Sequence, residues 1–183
     1  PLSSIVGGLA IIAHQGKGIY PDYAHCHVVE RDLEQVISKI TAPSDAYEAY
    51  LLQVGQHCYS DQETILHKIP VELSRMPAIR VVQGDYRSES SQHLSLTLAT
   101  PAWVYIAYTV SAMSLPYWLR DFEETSFEIQ TVDPWVGGKT FRLYRKRYVA
   151  GEVVLGGTHA QGYRGKVGLH YLVIVEPYNE KRP

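Results

Sequence analysis

From residue 57 onward the chain is a series of short apolar segments separated by clusters of Pro, Gly, Ser and Asp. The segments recur at spacings of about 8–15 residues, which is typical of an antiparallel β-sandwich or jelly roll. The predicted strands are 64–69, 78–82, 93–98, 102–110, 126–131, 140–148, 152–155 and 168–175.

Two of these segments also predict their place in a sheet. Leu94, Leu96 and Leu98 alternate with polar residues, which indicates a strand with one buried face. Segment 102–110 has apolar or aromatic residues on both faces, so we expect it at the centre of its sheet.

Residues 1–56 have a different pattern. Segments 4–13 and 24–29 are apolar enough to form strands, and an amphipathic helix follows them. The apolar residues of that helix have the i, i+3, i+4, i+7 spacing and are Leu33, Val36, Ile37 and Ile40. Pro43 ends the helix, and Ser44 is a suitable N-cap for a second short helix through residue 52.

The sequence therefore predicts a mainly β chain, an antiparallel β-sandwich or jelly-roll-like fold with a short N-terminal strand–helix extension. We expect residues 1–56 to form that extension, packed on the sandwich, and residues 57–183 to form the sandwich module.

The overall charge excludes a strong electrostatic partner. Lys and Arg total 17 against 19 Asp and Glu, a formal charge of −2. No positive field points to nucleic acid, so we expect none to bind. No apolar run reaches the ~18–20 residues that span a bilayer, so no membrane span is expected.

The aromatic residues are mostly tyrosine, with 14 Tyr against 3 Trp and 3 Phe. Tyrosine suits half-buried strand positions and contact surfaces. In segment 141–148, Phe141 and Leu143 are predicted to face the core. The other face then carries a basic and aromatic row, our candidate ligand-binding row, made of Arg142, Tyr144, Lys146 and Tyr148. The alternative is a charged strand face that prevents aggregation.

Histidine and acidic residues give weaker candidates for a metal. In a strand, His25 and His27 share one face and could bind Zn²⁺ or Cu²⁺ with His14 or His57. Their spacing matches no zinc signature, and the alternative is a strand with two surface histidines. Asp61, Asp85 and Asp133 lie in turn-like settings that suit a structural Ca²⁺. These three acids are also ordinary turn residues, so we expect no cofactor, with structural Ca²⁺ or Zn²⁺ as the alternative.

The cysteines and carboxylates give weak support for an enzyme, which is our third hypothesis for the function. Cys26 and Cys58 form either one disulfide or two core thiols, and we favour free thiols. Asp121 with Glu123 or Glu124 could serve a hydrolase as a carboxylate pair, but their setting is that of a solvated loop or edge.

The order of short motifs along residues 57–177 is more specific than any one of them. The motifs include WVYIAY at 103–108, LPYWL at 115–119 and AGEVVLGG at 150–157. Together they resemble a β-sandwich accessory module of secreted multidomain proteins, often found beside polysaccharide-active domains. Two positions depart from that module, because Thr109 replaces an acidic residue and Thr158 replaces an asparagine.

The resemblance implies a non-catalytic recognition role in a secreted or surface-associated protein that is part of a larger chain or assembly. We expect carbohydrate or glycan binding, with a protein–protein scaffold subunit as the alternative and a hydrolase as the second alternative. Trp118 is expected either to anchor the core or to present a sugar platform. Gly151, Gly156 and Gly157 are expected to supply backbone freedom at turns.

Overall fold

A computed structural model of the chain describes residues 29–166 and 168–178. Within this part a single α-helix, α1 at Val29–Val36, precedes the strands. The strands are, in chain order, β1 (Ile37–Thr41), β2 (Glu48–Leu51), β3 (Ile65–Lys68), β4 (Pro77–Arg80), β5 (Leu94–Leu98), β6 (Ala102–Thr109), β7 (Ala112–Ser114), β8 (Glu123–Asp133), β9 (Gly137–Tyr148), β10 (Gly151–Leu155), β11 (Arg164–Gly165) and β12 (Leu172–Pro177). The fold is mainly β with antiparallel sheets, as predicted.

The described strands form three sheets. One has three strands in the order β1-β5-β10, one has seven in the order β2-β4-β12-β6-β9-β8-β3, and β7 pairs with β11. The seven-stranded sheet curls, since His57 bridges to Ile65 in β3 and Tyr59 bridges to Val81 just after β4. Its first and last strands are thereby brought towards each other.

The predicted strands from residue 57 onward all form, with their ends displaced by a few residues. β6 is the fourth of seven strands, which confirms its central place. In β5 the leucines are buried and the residues between them are half-buried, as the alternation predicts. These leucines belong to the same buried core as Val104 and Ile106 of β6.

Both helix predictions before residue 57 are wrong. The first helix is shorter than predicted, and the second predicted helix is a strand. Helix α1 ends at Val36, and Ile37 and Ile40 lie in β1, where they pair with Leu98 and Leu96. The second predicted helix is instead strand β2, which pairs with β4 and buries Tyr50. In both places, pairing with a strand far along the chain outweighs the local helical spacing.

The remaining N-terminal predictions lie at or beyond the edge of the described residues. Segment 4–13 and residues 24–28 are outside them, and Val29 begins α1. Strands β1 and β2 belong to the two larger sheets. The division of the chain at residue 56 stays a prediction. Among the described residues, no helix is long and apolar enough to cross a membrane.

Cys58 is a buried free thiol, and Cys26 lies outside the described residues. The Cys58 Sγ donates to the Thr64 carbonyl oxygen at 3.5 Å. Burial raises the pKa of the Cys58 thiol to about 12, so little of the reactive thiolate forms at neutral pH.

We expect Cys58 to resist a thiol reagent in the folded protein and to react once the protein is unfolded. A Cys26→Ser variant leaves Cys58 as the single cysteine of the sequence, and intact mass after labelling counts the modification. Rapid labelling of the folded variant would contradict the buried position of this thiol.

Candidate functional site

Strands β8 and β9 form a long antiparallel ribbon with one solvent-facing side. Directly paired residues of antiparallel strands point to the same side of a sheet. We call this side the ribbon face, and its residues are Glu124, Glu128, Gln130 and Val132 of β8 with Gly138, Thr140, Arg142 and Tyr144 of β9. On the opposite side, Ile129, Phe141 and Leu143 are buried. The predicted inward direction of Phe141 and Leu143 is therefore confirmed.

The charge of Arg142 is neutralised within the ribbon face. Its Nη1 donates to Glu124 Oε1 at 2.9 Å, and its Nη2 donates to Glu128 Oε1 at 2.6 Å. The hydrogen bond to Glu128 is the main reason that the pKa of Arg142 is raised above its usual value. Arg142 is therefore a positioned hydrogen-bonding group with little free positive charge to offer an acidic partner.

A cleft of about 290 Å³ lies at the Tyr144 end of the ribbon face. Apolar side chains from β7 and its flanks form one wall, and Met113 among them is 83% exposed. The lining residues are Thr109, Val110, Ala112, Met113, Ser114, Leu115, Glu124, Arg142 and Tyr144. Burial raises the pKa of Tyr144, so its hydroxyl stays protonated and can donate a hydrogen bond.

Thr109, where the resembling modules have an acidic residue, lies in the lining of this cleft. Its hydroxyl is within hydrogen-bond distance of the Ser111 hydroxyl, at 2.9 Å. The cleft therefore has a neutral threonine at a position where a carboxylate would add negative charge.

Lys146 and Tyr148 continue the predicted row along the same side of β9 but are partly covered. Phe122 packs against the Tyr148 ring at 6.3 Å between centroids, and the Lys146 ammonium lies 5.8 Å from each of these two rings. Only the Arg142–Tyr144 half of the row opens on the cleft. Roles in binding for Lys146 and Tyr148 stay predictions.

Trp118 is half-buried and anchors two segments of the fold. Its ring contacts Tyr171 at 5.4 Å, and its Nε1 donates to the Gly157 carbonyl oxygen at 3.0 Å. A Cβ on Gly156 would lie 2.4 Å from the indole, so the LPYWL and AGEVVLGG motifs pack directly on each other. A ligand contact for Trp118 stays a prediction.

The prediction of backbone freedom holds for Gly151 but not for Gly156 and Gly157. Gly151 has a positive φ of 133°, a conformation in which glycine is favoured. Gly156 and Gly157 do not have positive φ, and close packing excludes a side chain there. Backbone freedom is therefore the wrong reason for this pair.

Sequence reasoning missed Trp135, at the tip of the β8–β9 hairpin. Its side chain is 89% exposed, and that of the adjacent Val136 is 66% exposed. Asp133 Oδ1 accepts hydrogen bonds from the backbone N–H groups of both residues, at 2.8 and 2.9 Å. The signal was present in the sequence, because a Trp between Asp-Pro and Gly-Gly falls in a turn, where it has little to pack against.

The acidic residues suggested for a hydrolase each lie next to a cation of β9. Glu123 accepts from Arg145 at 3.1 Å, Glu124 accepts from Arg142, and Asp121 is 3.9 Å from Lys146. The Arg145 hydrogen bond lowers the pKa of Glu123. A glycosidase general acid needs a raised pKa, so the electrostatics of Glu123 are opposite to that role.

The metal candidates His14, His25 and His27 lie outside the described residues. Within the described ranges, no group of three or more His, Cys, Asp or Glu is arranged to hold a metal ion. Asp61 accepts from the backbone N–H groups of Gln83 and Gly84, and Asp133 caps the hairpin tip. These two carboxylates thus act in turns, and structural Ca²⁺ or Zn²⁺ stays a prediction.

A second feature missed from the sequence is a buried pair of histidines, His93 and His170. Their Nε2 atoms are 3.0 Å apart, and His170 Nδ1 donates to the Tyr171 carbonyl oxygen at 3.1 Å. His170 Nε2 is then an acceptor, so His93 Nε2 carries the proton between them. Tyr47 lies 3.0 Å from His93 Nε2 and donates its own hydroxyl proton to Asp85 at 2.7 Å.

The His170 side chain is held in its uncharged form by its surroundings. Burial, and then the neighbouring His93, lowers the pKa of His170 to about 3. Burial also lowers the pKa of His93, against a smaller opposite effect of Asp85.

Comparison with known proteins shows the fold and leaves the family open. No family model matches this sequence. A 62-residue stretch is 32% identical to the Tudor domain-containing protein krimp of Drosophila melanogaster, covering 32% of this chain and 8% of that protein.

Two solved structures are similar to the fold. A β-glucuronidase from glycoside hydrolase family 2 superposes with a TM-score of 0.67 at 17% identity, over 79% of this chain and 15% of that one. A GH138 enzyme targeting pectin rhamnogalacturonan II has a TM-score of 0.48 at 11% identity, over 72% of this chain and 15% of that one. The chain thus has a β-sandwich-like fold that also occurs as a small part of a glycoside hydrolase.

Proposed function

We propose that this chain is a non-catalytic carbohydrate-binding module whose ligand, a glycan, binds in the cleft beside Tyr144. The observation that carries the proposal is the composition of this cleft. An aromatic ring and an apolar wall lie next to hydroxyl groups and to an Arg142 guanidinium held between two carboxylates.

This composition matches what a sugar ring presents. The C–H faces of a pyranose are apolar and pack on aromatic and aliphatic side chains, while its hydroxyls need donors and acceptors at its edge. Tyr144, Met113 and Leu115 supply the first kind of surface. Arg142, Glu124 and Ser114 supply the second, and the ion pair fixes Arg142 and Glu124 before a ligand arrives.

The fold is consistent with a non-catalytic domain that accompanies a catalytic domain in a larger protein. The β-glucuronidase segment that this chain resembles is 15% of that enzyme. A domain of this kind within a larger enzyme suits recognition or attachment, and the Glu123 carboxylate is electrostatically unsuited to general-acid catalysis. The scaffold-subunit and hydrolase alternatives stay predictions.

We expect Tyr144→Ala to weaken glycan binding by ~1–3 kcal/mol, because it removes the aromatic contact of the cleft. A glycan array identifies ligands of the wild-type protein, and isothermal titration calorimetry then measures the change in affinity. Tyr178→Ala is the matched control, since Tyr178 is also a partly exposed tyrosine but lies outside the ribbon face. The glycan affinity of the Tyr178→Ala variant should equal that of the wild type.

Two results would contradict the proposal. One is a folded Tyr144→Ala protein with wild-type glycan affinity, which would move the site elsewhere. The other is an array with no bound glycan, while a protein partner is retained by wild type and lost in Tyr144→Ala. That outcome would favour the scaffold alternative.

A further inference from the structure

We propose that the binding site runs along the whole ribbon face from Tyr144 to Trp135 and takes an extended, uncharged polysaccharide chain. This inference rests on the proposed function and adds to it the class and length of the ligand. Four features of the ribbon support this inference. They are the exposed Trp135 on its turn, the glycine at position 138, the neutral polar residues between this turn and the Tyr144 cleft, and the charges on the ribbon face.

Trp135 is an exposed aromatic residue on a turn whose backbone is held by Asp133. Exposed tryptophan is uncommon because its large apolar ring gains most from burial, yet this ring is 89% exposed. Asp133 holds the backbone under the ring with Oδ1, and its Oδ2 accepts from the Thr64 hydroxyl at 2.7 Å. The turn is therefore ordered before any ligand binds, which lowers the entropy lost on binding.

Gly138 is a glycine that the fold itself does not need. Its φ is not in the left-handed region, and the nearest atom to an added Cβ, the Thr131 carbonyl oxygen, would be 3.7 Å away. By contrast, Gly137 has a φ of 78° and is favoured by the turn. A glycine inside a strand often marks a close approach by a ligand or another backbone. Gly138 has no side chain, so its pair with Val132 leaves a low surface on the ribbon face next to the turn that contains Trp135.

Neutral hydrogen-bonding groups connect this surface to the Tyr144 cleft. Gln130 and Thr140 are directly paired on the same side, between Val132–Gly138 and Glu128–Arg142. The stretch from Gly137 to Tyr144 spans roughly 23 Å at ~3.3 Å per residue, enough for several pyranose rings in line. An aromatic ring at each end with polar groups between is suited to a linear chain.

The charge balance selects an uncharged chain. The ribbon face carries two carboxylates, Glu124 and Glu128, against the single guanidinium of Arg142, which they already pair. An anionic polysaccharide would meet excess negative charge on this face, and Lys146, the next cation along the same side of β9, lies 3.9 Å from Asp121. Neutral hydroxyls can share the existing donors and acceptors without that repulsion.

The test compares a short and a long neutral ligand by calorimetry, using cellobiose and cellohexaose, with the corresponding manno- and xylo-oligosaccharides as alternatives. We expect Trp135→Ala to weaken hexasaccharide binding about tenfold, as loss of an interface aromatic often does, and to leave disaccharide binding unchanged. Trp135→Phe should restore most of the loss. Gly138→Val should weaken the long ligand alone, while Tyr144→Ala should weaken both lengths.

Each contrary outcome has a separate meaning. Equal hexasaccharide affinity in wild type and Trp135→Ala overturns the extended site while leaving the Tyr144 cleft intact. Tighter binding of polygalacturonate than of every neutral probe overturns the ligand class. If wild type binds neither length of any probe, the proposed function fails and the extended site fails with it. Retention of a protein by wild type but not by Trp135→Ala would then assign the tip to a protein contact.

Discussion

Lowering the pH from 7 to 5 is expected to reduce the free energy of unfolding by about 2 kcal/mol through His170 alone. His93 should add to the loss in the same direction, because its pKa is also lowered by folding. An effect of this size is a large fraction of the ~5–15 kcal/mol that stabilises a typical domain.

The physical reason is the environment of the His170 ring. The residue is fully buried, and each of its ring nitrogens already has a neighbour, Tyr171 at Nδ1 and His93 at Nε2. A proton added at Nε2 would place a charge in a desolvated site beside a second imidazole. The nearest carboxylate in the network, Asp85, is separated from His170 by His93 and Tyr47.

The direction follows from the two pKa values. In the unfolded chain His170 titrates near its ordinary value of 6.5, whereas in the folded protein the pKa is about 3. Between these values the unfolded state binds more protons, so stability rises with pH by about 1.4 kcal/mol per pH unit for this histidine. The contribution is present above pH 6.5 and is lost as the pH falls towards 3.

Urea unfolding at several pH values between 7 and 5 measures this slope. Carboxylates with lowered pKa, such as Glu123 and Asp133, stay ionised over that range and do not contribute. His170→Gln and His93→Gln should each have a shallower slope than wild type, whatever their stability at pH 7. His67→Gln, which removes an exposed histidine, is the control. A wild-type slope near zero would contradict the prediction.

The strands of this fold were predictable because their signal is local. In β5 the alternation of Leu94, Leu96 and Leu98 is complete within five residues, and burial follows it. The inward direction of Phe141 and Leu143 in β9 is predictable for the same reason. Each of these patterns depends only on which side of a strand is buried.

The errors arise where distant pairing decides the structure. Leu33, Val36, Ile37 and Ile40 have helical spacing, but Ile37 pairs with Leu98, about sixty residues away, and becomes a strand residue. No local pattern reports that pairing. The same limit hides the contact between His93 and His170, whose separation in sequence is 77 residues.

Two residues of the candidate site were predictable from the sequence. Arg142 and Tyr144 lie on the ribbon face as the register of β9 predicts. The same register could not indicate that Phe122 covers Tyr148, because Phe122 belongs to a different segment. Neutralisation of Arg142 by Glu124 and Glu128 also depends on how β8 pairs across a bulge.

Gly157→Ala is expected to destabilise the fold by ~3 kcal/mol or more, as forced overpacking against backbone does. A Cβ at this position would lie 2.1 Å from the Ser88 carbonyl oxygen. That oxygen accepts from the His159 N–H at 3.0 Å, and the Gly157 N–H itself donates to Ser90 at 2.8 Å. Both segments are therefore fixed by hydrogen bonds and cannot separate without losing them.

Gly168→Ala is the matched control, since no atom lies within 4 Å of an added Cβ and its φ is not positive. It should change the free energy of unfolding by less than ~0.5 kcal/mol. Gly156→Ala gives a second comparison, because its clash is with the Trp118 side chain and not with backbone. Shortening Trp118 to Leu should reduce the penalty at Gly156 more than that at Gly157, because the clash at Gly157 is with the Ser88 backbone. Urea unfolding of these variants measures each penalty, and equal stability of Gly157→Ala and Gly168→Ala would contradict the close contact with Ser88.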